Sequence, residues 1–281
     1  MTESRFFLDR IIRAALEEDL GAGDVTTDSI VDPGVKGTAS LMARERLVLA
    51  GLHVFKEVFD ALSEEIRIDY DYLEGQVVPA GERICRLTGP VSILLKGERT
   101  ALNFLQRMCG IATTTRAYVE RCKPWKTRVV DTRKTAPGLR ALDKYAVRVG
   151  GGFNHRLGLF DGILIKDNHI SAAGSVSRAV ELAKRGASHL LKVEVEVEDL
   201  EGLRDAIKAG ADVVLLDNMS PEQMKRAVQE AGGRVLLEAS GGIDMENIEQ
   251  VAATGVDIIS VGALTHSARA SNLSLELEVM P

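Results

Sequence analysis

Charged residues, serine and glycine recur directly after short apolar runs in this chain of 281 residues. An arginine presents a planar fork to carboxylates, and a lysine presents a point charge to phosphates. Carboxylates bind magnesium through oxygen, and backbone N–H groups at a glycine turn bind a phosphate. These residue types together predict a polyanionic substrate that is bound with magnesium. Two of the residues concerned, His155 and Arg156, lie between apolar runs. The full set is Arg133, Lys134, His155, Arg156, Lys166, Glu196, Asp217, Ser240, Gly241, Gly242 and Gly262.

Three glutamates alternate with valine in the run at 193–198. Alternate side chains of a strand lie on one face, so this face is entirely acidic. Spacing alone does not choose which of Glu194, Glu196 and Glu198 contacts a ligand. Glu196 and Asp217 are the pair that we expect to hold a divalent cation, directly or through ordered water. His155 is about equally compatible with a structural role.

The elements that carry these residues alternate regularly from residue 128 onward. Continuous apolar runs are separated by amphipathic helical patterns at 174–186, 200–210 and 221–232. This alternation is typical of parallel strands buried on both faces by helices. Six such units favour an α/β barrel, complete or incomplete. Because active sites of such barrels lie at the C-terminal ends of the strands, the residues named above are expected to share one rim.

The first 90 residues predict an α+β domain instead. Helices are expected at about 4–18 and at 52–62, among strand-like segments that end in Gly and Pro turns. A long helical stretch at 92–122, interrupted near Gly110, leads to the barrel. We therefore expect an α+β domain at 1–110, to which a tail at about 267–281 returns, and a barrel domain at 111–266.

Composition excludes several classes of protein. Hydrophobic residues make up 45 % and charged residues 27 % of the chain, as in a globular protein with a substantial core. No run approaches eighteen apolar residues and the N-terminus lacks a signal-peptide core, so neither a membrane span nor secretion is expected. Three cysteines without a CxxC pair favour a reducing cytoplasm. The net charge of −6 argues against nucleic-acid binding, whereas seven Lys and Arg against four Asp and Glu within 131–170 indicate a confined anion site.

Seven motifs spread along the chain share their order and spacing with those of a known family. They are EDLGAGDVTT at 18–27, GERTALNFLQRMCGIAT at 97–113, DTRKTAPGLRALDKYAVRVGGGFNHRLGLFDGILIKDNH at 131–169, VEVEVE at 193–198, LLDN at 215–218, EASGGI at 238–243 and ISVGALTHS at 259–267. The chain closely resembles the quinolinate phosphoribosyltransferase family along nearly its whole length, and the central block is the most specific part. Cys109 and Asp143 depart from the usual pattern without touching the expected chemistry.

The resemblance implies a fold and a reaction. The fold is an N-terminal α+β open sandwich joined to an incomplete α/β barrel of the seven-stranded type. In the reaction, quinolinate and phosphoribosyl pyrophosphate give nicotinate mononucleotide, pyrophosphate and carbon dioxide, a step of de novo NAD synthesis. Magnesium accompanies phosphoribosyl pyrophosphate, and the active unit is a homodimer or a hexamer.

The resemblance also assigns a role to each candidate residue by its position in the motifs. The quinolinate ligands are Arg99, Arg133, His155, Arg156 and Lys166, with Arg99 donated across the dimer interface. The catalytic residues are Lys134, Lys166, Glu196 and Asp217. The ligands of phosphoribosyl pyrophosphate are Lys134, Glu196, Asp217, Ser240, Gly241, Gly242 and Gly262, and those of magnesium are Glu196 and Asp217.

Three other functions compete with this interpretation. Lys166 ends a strand as the lysine of a Schiff-base aldolase does, which is compatible with a barrel lyase. A related pyrophosphorylase could use the same sugar-phosphate site with another acceptor. A metabolite-binding scaffold without catalysis would tolerate the loss of Glu196 and Asp217, yet the sequence keeps both.

Overall fold

The computed structural model describes residues 5–280, and these fall into two compact units. The first contains the chain up to Arg116, Ala136–Gly151 and the chain from Ala268 onward. The second contains Ala117–Thr135 and Gly152–Ser267. The segment 136–151, expected from the sequence to lie in the barrel domain, therefore belongs to the first unit.

The N-terminal part of the chain alternates helices with short strands. Its elements are α1 (Arg5–Leu20), α2 (Val25–Ile30), β1 (Lys36–Ala43), β2 (Leu47–Val48), α3 (Leu52–Asp60), β3 (Arg67–Tyr70), β4 (Val77–Val78), β5 (Arg83–Pro90) and α4 (Val91–Cys122). The remaining elements are β6 (Arg128–Val130), α5 (Arg140–Gly150), β7 (Ile163–Ile165), α6 (Asp167–Ala173), α7 (Val176–Gly186), β8 (Val193–Val197), α8 (Leu200–Ala209), β9 (Val213–Asp217), α9 (Pro221–Ala231), β10 (Leu236–Ser240), α10 (Ile248–Ala252), β11 (Ile258–Ser260), α11 (Ala263–His266) and β12 (Leu273–Val279).

The first unit contains a four-stranded antiparallel sheet in the order β12-β1-β5-β3. Alternate residues of β1 are buried, so the strand packs one face against the core, as period-two alternation requires. The last strand, β12, pairs with β1 along its whole length, from Gly37 opposite Val279 to Ala43 opposite Leu273. The tail of the chain thus completes the sheet of the first unit.

Helix α4 is continuous through Gly110, where the sequence predicts an interruption. The glycine has a packing reason instead, because a Cβ atom at Gly110 would lie 2.0 Å from the carbonyl oxygen of Arg269. No side chain fits there without displacing the backbone of the returning tail.

Helix α5 is attached to α4 by a buried ion pair within the first unit. The guanidinium of Arg107 donates two hydrogen bonds to Asp143, at 2.8 and 2.7 Å, and Asp143 is fully buried. The backbone N–H of Ala136 donates to the same carboxylate at 3.2 Å. A bidentate pair of this kind holds both planar groups in one orientation, which explains why α5 belongs to the first unit.

The second unit contains a parallel sheet in the order β6-β11-β10-β9-β8-β7. Its strands are short and largely buried, as in sheets covered by helices on their faces. The resemblance implies seven strands, whereas the described residues form six, and Phe153 adds a single parallel bridge to Val130 beyond β6. Pairing ends there because the next backbone donor, His155 N–H, bonds to the side chain of Asp131. An α/β fold with a small antiparallel domain and a barrel-like parallel sheet is confirmed.

The helices expected at 174–186, 200–210 and 221–232 are present as α7, α8 and α9. Ser220 caps α9 by accepting a hydrogen bond from Gln223 N–H, and Pro221 occupies the first helical position. Within residues 5–280, none of the helices combines the length and the apolar character that crossing a membrane requires.

Candidate active site

Lys166 and Glu196 form an ion pair at the C-terminal edge of the parallel sheet. Ile165 of β7 lies opposite Val195 of β8, so the residue that follows each of them is at the same level of the edge. The lysine side chain is 46 % exposed, whereas that of Glu196 is 15 % exposed. The half-exposed lysine thus presents a cationic group, held by a carboxylate, at the position that a ligand can reach.

The structure separates the three glutamates that the sequence leaves equivalent. Glu194 is buried and faces His155, Glu196 is half-buried and faces Lys166, and Glu198 is exposed beyond the end of β8. They share one face of the strand but lie at successive depths. Glu196 is thus the glutamate of this face that lies at the edge beside a candidate cationic ligand.

Asp217 ends β9 and lies opposite Ser240, which ends β10. The side-chain amide of Asn218 donates to Asp217 Oδ2 at 2.8 Å, and its backbone N–H donates to Ser240 O at 2.9 Å. A Cβ atom at Gly241, whose φ is 93°, would lie 2.2 Å from Asn218 Oδ1. Only glycine allows this close approach, so the two strand ends and the turn form one compact structure.

Lys134 lies against Gly262, which follows the end of β11. A Cβ atom at Gly262 would be 3.0 Å from Lys134 Cδ. The hydroxyl of Thr265 donates to Lys134 O at 2.8 Å, and Lys134 N–H donates to the hydroxyl of Thr132 at 3.0 Å. These bonds fix the backbone of Lys134, while its side chain is exposed.

Arg133 and Arg156 place two positive charges near each other in the second unit. Burial lowers the pKa of the Arg156 guanidinium, and the charge of Arg133 lowers it further. Arg156 Nη1 donates to Gly162 O at 2.9 Å, which holds the guanidinium in place. Two neighbouring positive charges attract anionic groups, so the arrangement suits a ligand with more than one negative charge.

His155 lies inside the barrel-like sheet with two buried glutamates. Its Nε2 is 3.0 Å from Glu194 Oε2 and 3.7 Å from Glu238 Oε2. Its Nδ1 accepts the backbone N–H of Arg156 at 2.8 Å. In this arrangement both ring nitrogens have hydrogen-bond partners within the protein. Burial, together with the negative charge of Glu194, raises the pKa of Glu238 to about 7.

Asp131 extends this polar interior to a third strand. It is fully buried and accepts Asn154 Nδ2 at 2.6 Å and His155 N–H at 2.9 Å. Asp131 follows β6, whereas the two buried glutamates lie on β8 and β10, so the three carboxylates come from alternate strands. Side chains from alternate strands form one layer of a barrel interior. We call Asp131, Asn154, His155, Glu194 and Glu238 the inner layer.

Arg99 lies on α4 in the first unit, whereas the other predicted site residues lie in the second. Its side chain is 59 % exposed and lies 4.0 Å from Glu98. The structure therefore brings together within the second unit the residues at the strand ends, and Arg99 lies on an exposed helix surface of the first unit.

The sequence reasoning missed Glu238, Asp131, Asn154 and Thr265 as members of the site's framework. A signal for Glu238 was present, since it is a lone charge in the middle of the apolar run 235–239. A buried charge at such a position is costly unless it is paired, and so it indicates a polar partner inside the fold.

Comparisons with known proteins agree with this geometry. Residues 24–109 and 111–276 match the family models described as the N-terminal and C-terminal domains of quinolinate phosphoribosyl transferase. The probable nicotinate-nucleotide pyrophosphorylase [carboxylating] of Bacillus subtilis (strain 168) is 43 % identical over 96 % of this chain and 93 % of its own. The nicotinate-nucleotide pyrophosphorylase [carboxylating] of Mycobacterium leprae (strain TN) is 46 % identical over 95 % of both chains.

A solved structure shows the same fold. The nicotinate-nucleotide pyrophosphorylase from Francisella tularensis is 46 % identical, with a TM-score of 0.94 over 98 % of this chain and 97 % of its own. Sequence and structure thus agree over both units, and the chain belongs to the quinolinate phosphoribosyltransferase family.

Proposed function

We propose that this protein is a carboxylating nicotinate-nucleotide pyrophosphorylase. It transfers the phosphoribosyl group of phosphoribosyl pyrophosphate to quinolinate and releases pyrophosphate and carbon dioxide, which supplies nicotinate mononucleotide for NAD synthesis. The observation that carries the proposal is the pair of neighbouring guanidinium groups at Arg133 and Arg156. They suit the two adjacent carboxylates of a pyridine dicarboxylate.

Quinolinate binds at the cationic end of the site. Arg133 and Arg156 take its two carboxylates, and Lys166 adds a third positive charge beside them. His155 supports this end by holding the backbone of Arg156, to which it is bonded at Nδ1. Arg99 of a second subunit completes the quinolinate site, so the working unit is a homodimer or a hexamer built from such dimers.

Phosphoribosyl pyrophosphate binds across the ends of β8 to β11. The turn at Ser240, Gly241 and Gly242, with Gly262, receives the 5′-phosphate on backbone N–H groups. Glu196 and Asp217 contact the ribose hydroxyls, and Lys134 lies beside the pyrophosphate that leaves.

A magnesium ion fits the donor set at this edge, because Glu196 and Asp217 supply carboxylate oxygens from neighbouring strands. Bound with phosphoribosyl pyrophosphate, it would be held by these two residues and would neutralise charge on the leaving pyrophosphate.

The protein's own residues favour an order of steps. Positive charge develops at the anomeric carbon as pyrophosphate leaves, and nearby carboxylates such as Glu196 stabilise that charge. The ring nitrogen of quinolinate attacks the anomeric carbon and becomes quaternary. The carboxylate on the carbon next to that nitrogen then leaves as carbon dioxide. The electron pair left on this carbon is stabilised by the positively charged ring, and the carbon takes up a proton from water. Glycosyl transfer therefore precedes decarboxylation.

A direct assay tests the proposal. Purified protein is mixed with phosphoribosyl pyrophosphate, magnesium and either quinolinate or nicotinate, and nicotinate mononucleotide and carbon dioxide are measured. We expect turnover with quinolinate and no carbon dioxide when phosphoribosyl pyrophosphate is omitted. Turnover with nicotinate but not quinolinate would overturn the substrate, and carbon dioxide without the sugar donor would overturn the order of steps.

The same preparation tests two of the rival functions. A Schiff-base lyase would leave a borohydride-trapped adduct on Lys166, whereas the amine of Lys166 is paired with Glu196 in the structure. A pyrophosphorylase with another acceptor would consume phosphoribosyl pyrophosphate without quinolinate, although Arg133 and Arg156 match a dicarboxylate.

The protein works in the cytoplasm, without a nucleic-acid or membrane partner. The location is supported by the three cysteines, Cys85, Cys109 and Cys122, which are buried free thiols of the kind found in reducing compartments.

A further inference from the structure

We infer that Glu194 and Glu238 are positioning residues for quinolinate: Glu194 accepts the Nε2 proton of His155 and Glu238 lies beside it, which fixes the ring and the backbone that presents Arg156. The inference rests on the proposed function and adds to it two residues of the barrel interior. Neither glutamate touches the substrate, since both are buried below the edge of the sheet.

The hydrogen bonds of His155 define where its ring proton is. Nδ1 accepts the backbone N–H of Arg156, and a nitrogen that accepts a hydrogen bond does not itself carry a proton. The ring is therefore neutral with its proton on Nε2. Glu194 Oε2, at 3.0 Å, is the acceptor of that proton, and Glu238 Oε2, at 3.7 Å, lies on the same side of the ring.

The same three side chains offer a nitrogen and two carboxylate oxygens that lie within 4.8 Å of one another, a set that resembles a metal site. A cation would need the Nε2 lone pair, and Nδ1 would then have to carry the proton. The bond from Arg156 N–H to Nδ1 excludes that arrangement. The geometry therefore favours a proton between these groups.

Burial of the two carboxyl groups of Glu194 and Glu238 costs free energy. Glu194 Oε1 and Glu238 Oε1 are inaccessible and accept no hydrogen bond within residues 5–280. Unpaired buried acceptors cost free energy, and a second carboxyl group beside a buried carboxylate costs more. Apolar side chains would pack a barrel layer at lower cost, so the pair needs a role that aliphatic residues could not perform. Orienting an imidazole by its N–H is such a role.

The orientation of the His155 ring affects the position of the Arg156 guanidinium, because one peptide unit joins the two residues. His155 N–H is held by Asp131, and the N–H of Arg156 is held by the His155 ring itself. The guanidinium of Arg156 is held at its other end by Gly162 O. If the ring loses its anchor at Glu194, the N–H of Arg156 loses its acceptor, and the guanidinium shifts relative to Arg133.

Steady-state kinetics test the inference with the full-length protein. Glu194→Ala is expected to raise the KM for quinolinate about tenfold, the effect of one lost hydrogen bond to a charged group. Glu238→Ala is expected to act in the same direction with a smaller effect. The KM for phosphoribosyl pyrophosphate stays within about twofold in both variants, because its ligands lie elsewhere on the edge. Glu194→Gln, whose amide oxygen accepts the same N–H, recovers most of the affinity for quinolinate.

A double-mutant cycle shows whether Glu194 acts through His155. Glu194→Ala is expected to have no further effect on the quinolinate KM in a His155→Ala background. Glu201→Gln, an exposed carboxylate change on α8, is the control and leaves both KM values unchanged. Additive effects of the two substitutions, or equal rises in both KM values, would overturn the inference.

A measurement without turnover separates this inference from the proposed function. Nitrogen NMR of isotope-labelled histidine, with the His155 signal identified by its loss in His155→Ala, reports which ring nitrogen carries the proton. We expect a neutral ring with the proton on Nε2 in the wild type and a changed signal in Glu194→Ala. A proton on Nδ1 or a doubly protonated ring would refute the positioning role even if quinolinate is turned over. A failure to turn over quinolinate with the expected NMR signal would refute only the assigned substrate.

Discussion

Glu194 and Glu196 are two residues apart on one strand and point to the same face, yet they belong to different parts of the molecule. Glu194 is in the inner layer, buried against His155. Glu196 is at the rim, paired with a half-exposed lysine. The rim thus consists of charges that a ligand can reach, whereas the inner layer consists of polar groups that are bonded within the protein.

Depth in the sheet, rather than residue type, distinguishes the side chains that a ligand can contact from those that hold other side chains in place. At the rim, water and a ligand can solvate a charge, so Lys166 and Glu196 are available to a ligand. In the interior, a carboxylate needs a hydrogen-bond donor or a proton to be stable. This is why the pKa of Glu238 rises to about 7, first through burial and then through the charge of Glu194.

The largest expected effect comes from removing a rim charge. Lys166→Ala is expected to lower kcat about a thousandfold, the magnitude typical of losing one electrostatic contact to a transition state. Because the lysine is 46 % exposed, the thermal unfolding temperature should change little. Lys225→Ala, an exposed change on α9, serves as the control. A less than tenfold loss of activity, or a large loss of stability, would show that Lys166 does not differ in role from the residues of the inner layer.

Substitution of Glu238 in the inner layer should instead change the free energy of unfolding, by an amount that depends on pH. Between its ordinary pKa of 4.5 and about 7, Glu238 binds a proton in the folded state that it releases on unfolding. The wild type therefore loses stability as pH rises from about 5 to about 8, by up to about 3 kcal/mol for this group. Glu238→Gln does not titrate and should lack that loss.

Urea unfolding of both proteins at pH 5 and pH 8 measures the difference. Relative to the wild type, Glu238→Gln is expected to be more stable at pH 8 than at pH 5. Glu246→Gln, an exposed change, should show no such dependence. An equal difference between Glu238→Gln and the wild type at both pH values would mean that the buried carboxyl is ionised throughout.

A smaller effect is expected for binding at the rim. Arg133→Ala should raise the quinolinate KM about thirtyfold, the equivalent of one lost charge-assisted contact, and leave the KM for phosphoribosyl pyrophosphate unchanged. Removing Arg133 also removes a charge that lowers the pKa of Arg156, so the remaining guanidinium is easier to keep protonated. Arg178→Ala on α7 is the control, and a parallel rise of both KM values would place Arg133 outside the quinolinate site.

Much of this organisation follows from the sequence, and its failures have physical causes. The alternation of apolar runs and helices predicts the parallel sheet, and the strand ends predict Lys166, Asp217 and Ser240 at one edge. Period-two spacing predicts one acidic face but contains no information on depth. The separation of Glu194 from Glu196 therefore required the structure.

Long-range contacts account for the other differences. Helix α5 joins the first unit because Arg107, distant in sequence, binds Asp143. The seventh strand is reduced to a bridge at Phe153 because Asp131 takes the next backbone donor. No local sequence pattern within 131–155 predicts either contact. Glu238 alone was visible in advance, as a charge within an apolar run.

One chain supplies the whole inner layer, and mixing two inactive variants tests whether it also supplies the whole rim. If Arg99 reaches the quinolinate site of a second subunit, Arg99→Ala and Lys166→Ala are each inactive alone. In a randomly reassociated mixture, half of the dimers contain both variants, and each of these has one intact site. Activity should then recover to about a quarter of the wild-type value for a twofold-symmetric dimer. Mixing Arg133→Ala with Lys166→Ala is the matched control, because both changes lie in the second unit and leave no intact site in a mixed dimer. Recovery in the control as well, or in neither mixture, would show that Arg99 does not serve a partner's site, and the rim would then be complete within one chain.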